Sequence, residues 1–356
     1  MARFDQNSTF VDPAYGPTCS SIIFSVGVAG NLIALWLLLS THKTNKCSPF
    51  YALVLGLTVT DLLGSCLTGP VALTAYAYNS TVVSFVGAGL CRYLSFMLLF
   101  FGLATLAILC AMALERYLSI CHPYRYESVS RRVSTCAVIA SIYLVSLAVC
   151  TLPLGGFGTV RMYEPGTWCY MDMKAHDALD TVYPVAYAAI SAVFCLTIIF
   201  CNLSVMVSLL RMLGRRRTRS LFRARRSCDS WSGTQRSGHV SHEEELNTIA
   251  VLACITLLSL TCTIPLTIRM FINASPKSPN EERDLLALRL YTINPILDPW
   301  IYILLRKSLC RRLCYPGICH CQAIPLDHTG DLVSVEERGL NNMASPIEPT
   351  LDTHAS

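Results

Sequence analysis

Residues Tyr93 to Tyr117 read YLSFMLLFFGLATLAILCAMALERY. No charge interrupts the run from Tyr93 to Leu114, and an acid, a base and a tyrosine end it abruptly. About 20 apolar residues in a helix cross the hydrocarbon core of a bilayer, so this stretch reads as a buried transmembrane span. Six more windows of similar character flank it: Thr18–Ser40, Pro49–Tyr78, Val133–Val160, Thr181–Leu210, Leu246–Ile268 and Leu285–Leu305. The runs are long and continuous, not the alternating strands of about ten residues that build a barrel. In lipid each must satisfy its own backbone, which requires helices. The fold class is therefore an all-α membrane protein, a seven-transmembrane helix bundle over 18–305.

Composition agrees. The 356 residues are 53% hydrophobic and 14% charged, where an ordinary soluble chain carries about 25% charge. The formal net charge of +5 is unevenly spread. Lys43, Lys46, Arg125, Arg131, Arg132, the arginines of 211–245 and Arg306–Arg312 all fall in alternate connections, whereas Asn79–Gly89 carries no charge. By the positive-inside rule the N-terminus is outside and the C-terminus inside. The charge is thus a membrane asymmetry, and no nucleic-acid partner is implied. Residues 1–17 are polar, with no apolar core of a cleavable signal, and form an extracellular N-terminus. Sequons at Asn7, Asn79 and Asn273 fall on the external side and are candidate glycosylation sites, while that at Asn202 lies within a span.

The third intracellular connection, about 211–245, is rich in Arg, Ser and Gly and reads as a solvated loop. Residues 306–314 set Arg306, Lys307, Arg311 and Arg312 against Leu309 and Leu313, the pattern of a short amphipathic juxtamembrane helix on membrane lipid. Cys310 and Cys314 there are candidates for palmitoylation, the alternative being reduced thiols. Residues 315–356 form an acidic cytoplasmic tail. Of the 18 cysteines, only Cys91, Cys169 and, at the margin, Cys19 face the oxidising side.

Ionisable groups inside a membrane helix are costly and functional by default. The windows hold three: Asp61, Arg289 and Asp298. At 1.5 Å per residue Arg289 lies about 13 Å outward of Asp298, near the outer mouth. A guanidinium among apolar walls suits a carboxylate on a hydrocarbon chain; the bland alternative is a snorkelling arginine paired with Asp284 or Glu282. Arg269, at the outer end of its span, reads as snorkelling. Asp61 and Asp298 lie deeper, with Asn294 and Thr105 as polar neighbours. Two such carboxylates share a proton, bind a cation such as sodium, or belong to a static polar network. Glu115-Arg116-Tyr117 is either a surface ion pair or a latch that opens to a docking partner.

Together these residues resemble the rhodopsin-like G-protein-coupled receptors, from about Ser20 to Cys314. The markers are Gly30-Asn31, Leu57-x-x-x-Asp61, Cys91, Glu115-Arg116-Tyr117, Pro265 and Asp298-Pro299-Trp300-Ile301-Tyr302. Finer features resemble the prostanoid receptors: Pro165-Gly166-Thr167-Trp168-Cys169, Leu285-Leu286-Ala287-Leu288-Arg289 and Asn294-Pro295-Ile296-Leu297-Asp298. The resemblance implies a Cys91–Cys169 disulfide, Arg289 as carboxylate anchor, Tyr76 and Thr167 as hydrogen-bonding helpers, and Trp168 in a loop lid. It implies further that Glu115, Arg116, Tyr117, Asp61, Asn294, Asp298 and Tyr302 serve activation and G-protein coupling. Three departures stand out. Asp298 replaces the usual asparagine, Thr263 stands where many such receptors carry a toggle tryptophan, and Glu164 replaces a second loop cysteine found in some prostanoid receptors.

The expected function is a plasma-membrane receptor for prostaglandin E2 that couples to Gs and raises cyclic AMP, with arrestin as a further partner. Prostacyclin and prostaglandin D2 are the alternative ligands. A rival from another class is an organic-anion transporter, weakened by the lack of sequence repeats. An enzyme has no support: no membrane-embedded histidine, nucleophile–base pair or metal-ligand cluster is visible, and no cofactor is implied.

Overall fold

The computed structural model describes residues 8–12, 16–41, 49–173, 178–226, 237–274 and 281–305. Among the described residues nine α-helices and one hairpin follow in order: α1 Thr18–Thr41, α2 Pro49–Ala77, α3 Val82–Val86, α4 Ala88–Cys121, α5 Pro123–Arg132, α6 Thr135–Thr151, β1 Val160–Tyr163, β2 Trp168–Met171, α7 Ala178–Arg226, α8 Ser237–Asn273 and α9 Glu281–Leu305. The seven spans are α1, α2, α4, α6, α7, α8 and α9. Six of them are long and apolar enough to cross a membrane by composition alone. The seventh, α9, carries Arg289, Asn294, Pro295, Asp298 and Pro299 within its length.

The helices are apolar nearly all round, so the polar groups they do carry decide how they pack. Pro299 has no N–H, which leaves the carbonyl four residues earlier, that of Pro295, without its helical donor. Asn31 supplies one: its Nδ2 donates to Pro295 O at 3.1 Å and to Gly27 O at 3.0 Å, joining α1 to α9. Gly30 beside it permits the approach, since a Cβ there would lie 2.6 Å from Trp300 Nε1. Threonines inside α2 satisfy themselves against their own helix, Thr58 to Val54 O and Thr60 to Gly56 O. The most buried span is α4, packed against α2, α6, α7 and β2, with Leu99, Leu103, Ile108 and Leu109 in the core.

At one end of the bundle β1 and β2 pair antiparallel, Val160 opposite Met171 and Tyr163 opposite Trp168. The Cys91–Cys169 disulfide ties β2 to the start of α4, as the family resemblance implies. The turn after α2 passes through Asn79 at φ 47°, a left-handed conformation that asparagine tolerates. Thr81 then caps α3, accepting from Ser84 N at 3.3 Å while its hydroxyl donates to Ser8 O at 2.7 Å. Backbone bonds from Asp12 N to Pro165 O and from Val82 N to Gly166 O complete a cover of N-terminal segment, hairpin and α3.

The structure corrects several expectations. The fourth span does not run from Val133 to Val160. It begins at Thr135, ends at Thr151 and passes through a 3-10 turn, Leu152–Gly155, because Pro153 removes a helical donor and Gly156 adopts φ 93°. The loop expected over 211–245 is largely helical: α7 continues to Arg226 and α8 starts at Ser237, since Arg and Leu are good helix formers. Over 49 residues α7 is about 74 Å long, well beyond a hydrocarbon core of about 30 Å. The connection between α4 and α6 holds a helix, α5, absent from the sequence reading. The amphipathic segment 306–314 and the tail 315–356 lie outside the described residues.

Arg269 does not snorkel. Its Nε lies 2.7 Å from Asp284 Oδ1, and its Nη2 donates to Asn273 Oδ1 at 3.2 Å. Asn273 Nδ2 donates to the same Asp284 oxygen at 2.9 Å. Asp284 is 1% exposed, so removing its partner strands a buried charge. This network joins the ends of α8 and α9, and it engages the amide that glycosylation of Asn273 would modify. Replacing Asp284 with Ala should destabilise the purified protein by about 3 kcal/mol, read as a lower midpoint of thermal unfolding in detergent. The double replacement Arg269→Met/Asp284→Leu should recover most of that loss. An unchanged midpoint in Asp284→Ala would remove the clamp from the account.

Candidate ligand cavity and polar switch

The residues singled out near the mouth converge. Tyr76 from α2, Thr167 and Trp168 from the hairpin, and Arg289 from α9 line one cavity of about 380 Å³. That volume lies in the range of small-molecule sites. Thr167 is buried, Tyr76 half-buried and Arg289 exposed. Trp168 donates its indole N–H to Glu164 O at 3.0 Å and stacks on Tyr163 at 5.4 Å between ring centroids, which fixes its ring as a wall. Tyr163 in turn donates to Met171 O at 2.9 Å, and burial holds its phenol well above the usual tyrosine range. Asp284, considered in the sequence as a partner for Arg289, is taken by Arg269. A guanidinium beside apolar walls from Ile23, Phe24, Leu98 and Phe101 is built for an anionic head on a hydrocarbon chain.

The cavity runs deeper than the mouth. Asp61, Thr105 and Asn294 also line it. Thr105 Oγ1 donates to Asp61 Oδ1 at 2.8 Å. A separate small cavity of about 10 Å³ lies between Asn31, Asp61, Met112 and Asp298, room for about one small ion or water. Asp61 Oδ2, both Asp298 oxygens, Asn31 Oδ1 and Asn294 Oδ1 are buried and meet no donor among the described residues. Buried lone pairs of this kind demand a cation, a proton or water. The arrangement fits a small cation, and sodium would be held by Asp61 and Asp298.

At the opposite end of α4, Arg116 Nε lies 3.1 Å from Glu115 Oε2. Two further contacts make this more than an exposed pair. Tyr126 of α5 donates to Glu115 Oε1 at 2.8 Å, and the Arg116 guanidinium stands 3.8 Å over the Phe50 ring. Burial, and then the bond to Glu115, raise the Tyr126 phenol above its ordinary range. Tyr117 turns away from the pair: its hydroxyl meets His122 Nε2 at 3.1 Å and its ring packs on Phe200.

Other sequence candidates are not brought to either centre. Asn202 is buried within α7 and donates to Thr256 Oγ1, consistent with its sequon being chance. Asn79 lies in the turn after α2. Asn7, Cys310 and Cys314 lie outside the described residues, as does the side chain of Tyr302. Conversely, Tyr291, Gly102, Thr68 and Thr292 line the cavity without having been foreseen. Only Gly102 left a signal, as a lone glycine beside two phenylalanines in a span.

Comparison with known proteins agrees with this architecture. Residues 30–302 match the family described as 7 transmembrane receptor (rhodopsin family). A prostacyclin receptor of Mus musculus is 37% identical over 98% of this chain and 81% of its own length. A prostaglandin E2 receptor, EP2 subtype, of Homo sapiens is 40% identical over 85% of this chain and 86% of its own. A prostaglandin D2 receptor of Bos taurus is 38% identical over 86% and 90%. Squid rhodopsin has the same fold at a TM-score of 0.64 and 16% identity, with 86% of each chain covered. These relationships replace the transporter reading and leave no place for an enzyme. A cavity with an arginine near its mouth, a disulfide-tied hairpin over it and a Glu-Arg-Tyr run at the far end thus stand in a chain that belongs to the rhodopsin family of seven-transmembrane receptors and, within it, to the prostanoid receptors.

Proposed function

We propose that this chain is a plasma-membrane receptor for prostaglandin E2 that couples to Gs and raises cyclic AMP, with its N-terminus outside the cell. The observation that carries the ligand reading is the convergence of Arg289, Tyr76, Thr167 and Trp168 on one cavity. Arg289 anchors the carboxylate, Tyr76 and Thr167 supply hydrogen bonds, and the apolar walls take the chains. Relatives that bind prostacyclin, prostaglandin E2 and prostaglandin D2 stand at similar identity, so the choice among the three rests on the pocket's apolar shape. A ligand acts only through a difference in affinity between states, so agonist must fit the active arrangement better. The Glu115–Arg116 pair then opens and the helix end of a G-protein α subunit enters. The same face serves arrestin.

A dose–response panel of the three prostanoids, read as cyclic AMP in cells expressing this chain, tests ligand and transducer together. Prostaglandin E2 should be the most potent, and a stronger response to either competitor would reassign the ligand. Arg289→Ala should raise the half-maximal concentration by about tenfold or more, the worth of a charged hydrogen bond. Equal potency at equal surface expression would end the anchor role.

Two further outcomes concern the switch. Tyr126→Phe removes the hydroxyl that holds Glu115, so agonist-free nucleotide exchange should rise by up to about fivefold. A fall, or no change, would show that Tyr126 does not hold the resting state. For the deep carboxylates, replacing sodium with choline should raise agonist affinity in the native protein, and Asp61→Asn should abolish that difference. Equal affinity in both salts would leave Asp61 and Asp298 as a static polar pair.

A further inference from the structure

The cavity has further hydrogen-bonding groups on α9 besides Arg289. Tyr291 follows two residues later and lines the same space. Two residues advance about 3 Å along a helix, so Tyr291 stands between the guanidinium near the mouth and the Asp61–Asn294 region below. Its phenol reaches across the bundle to α4. A Cβ on Gly102 would lie 1.7 Å from Tyr291 Oη and 2.6 Å from Cζ, so the ring tip occupies the recess that the missing side chain leaves. Tyr187 of α7 meets it from the other side, with the two hydroxyl oxygens 3.4 Å apart.

Proton accounting gives this contact a direction. A tyrosine hydroxyl has one proton to donate. That of Tyr187 goes to Leu99 O at 3.1 Å. In the contact between the two phenols Tyr291 is therefore the donor. Its own oxygen retains acceptor capacity, seated against Gly102 and Tyr187 in a residue that lines the cavity. An acceptor in an apolar chamber discriminates chemically: it rewards a ligand O–H and offers nothing to a ketone or a methylene.

We propose that Tyr291 is a specificity-determining residue of the ligand site, a fixed acceptor that selects prostanoids carrying a hydroxyl remote from the carboxylate. The inference rests on the reading of Arg289 as the carboxylate anchor. Gly102 is the positioning residue, because any larger side chain displaces the phenol.

Binding tests it without reference to any transducer. A tritiated prostanoid is displaced by a hydroxylated prostanoid and by the same molecule lacking its chain hydroxyl, on membranes matched for surface receptor. The native protein should prefer the hydroxylated compound by about tenfold. Tyr291→Phe keeps the ring and should reduce that preference to about twofold or less, by weakening the hydroxylated ligand alone. Gly102→Ala should weaken both compounds, and Gly102→Ala/Tyr291→Leu should restore binding without the preference. A preference undiminished in Tyr291→Phe would overturn the inference even where Arg289→Ala abolishes binding, and so would Gly102→Ala that binds both compounds as the native protein does. Failure of every prostanoid to bind the native chain would instead overturn the ligand reading, and this inference with it.

Discussion

Inside a bilayer no water is available to an unpaired backbone carbonyl, and the bundle is organised around that constraint. Its sharpest expression is the pair of prolines in α9. Pro299 leaves Pro295 O without a donor, and the amide of Asn31, from the other end of the chain, supplies it at 3.1 Å. One side chain thereby joins α1 to α9, and Gly30 next to it lets Trp300 approach. The Asp61–Asp298 region borders the same junction, and Asn31 and Pro299 both line the small cavity beside it. Repairing the backbone and placing the polar centre are two results of one packing arrangement.

The two arginines near the mouth show how position alone misleads. Arg269 and Arg289 both lie towards the disulfide end of their helices, and both are arginines in apolar company. Arg269 is held by Asp284 and Asn273, a clamp between α8 and α9. Arg289 lines the cavity. Asp284 is what distinguishes Arg269, which it binds through Oδ1 at 2.7 Å.

Where many such receptors carry a tryptophan the protein has Thr263, whose buried hydroxyl meets no partner among the described residues. The aromatic contact across the bundle is instead the Tyr187–Tyr291 pair, anchored on Leu99 and seated against Gly102. It joins α4, α7 and α9 at the level where the cavity passes from the arginine near its mouth to the deeper Asp61. At the far end, Glu115 and Arg116 are steadied by α5 through Tyr126 and by α2 through Phe50. The pair is thus tied to three elements at once, α4, α5 and α2.

Much of this was legible in the sequence. Lipid demands long uninterrupted apolar helices, so the spans, the polar groups buried in them and the Asp61–Thr105 association could be read from order and spacing. Residue patterns shared with a receptor family carried the disulfide and the prostanoid assignment. What only the tertiary structure decided was pairing across helices. That Asp284 takes Arg269, that Tyr126 reaches Glu115, that Tyr291 fills the recess at Gly102 and that the cavity continues from Arg289 to Asp61 all depend on helix rotation and crossing. The hairpin over the mouth and the helical course of 211–226 escaped for a related reason. Outside the membrane, hydropathy no longer restricts the backbone, and local pairing and packing choose its form. Apolar periodicity says how deep a residue lies, whereas the azimuth of each helix, set by the polar and small residues that must meet a neighbour, says what it touches.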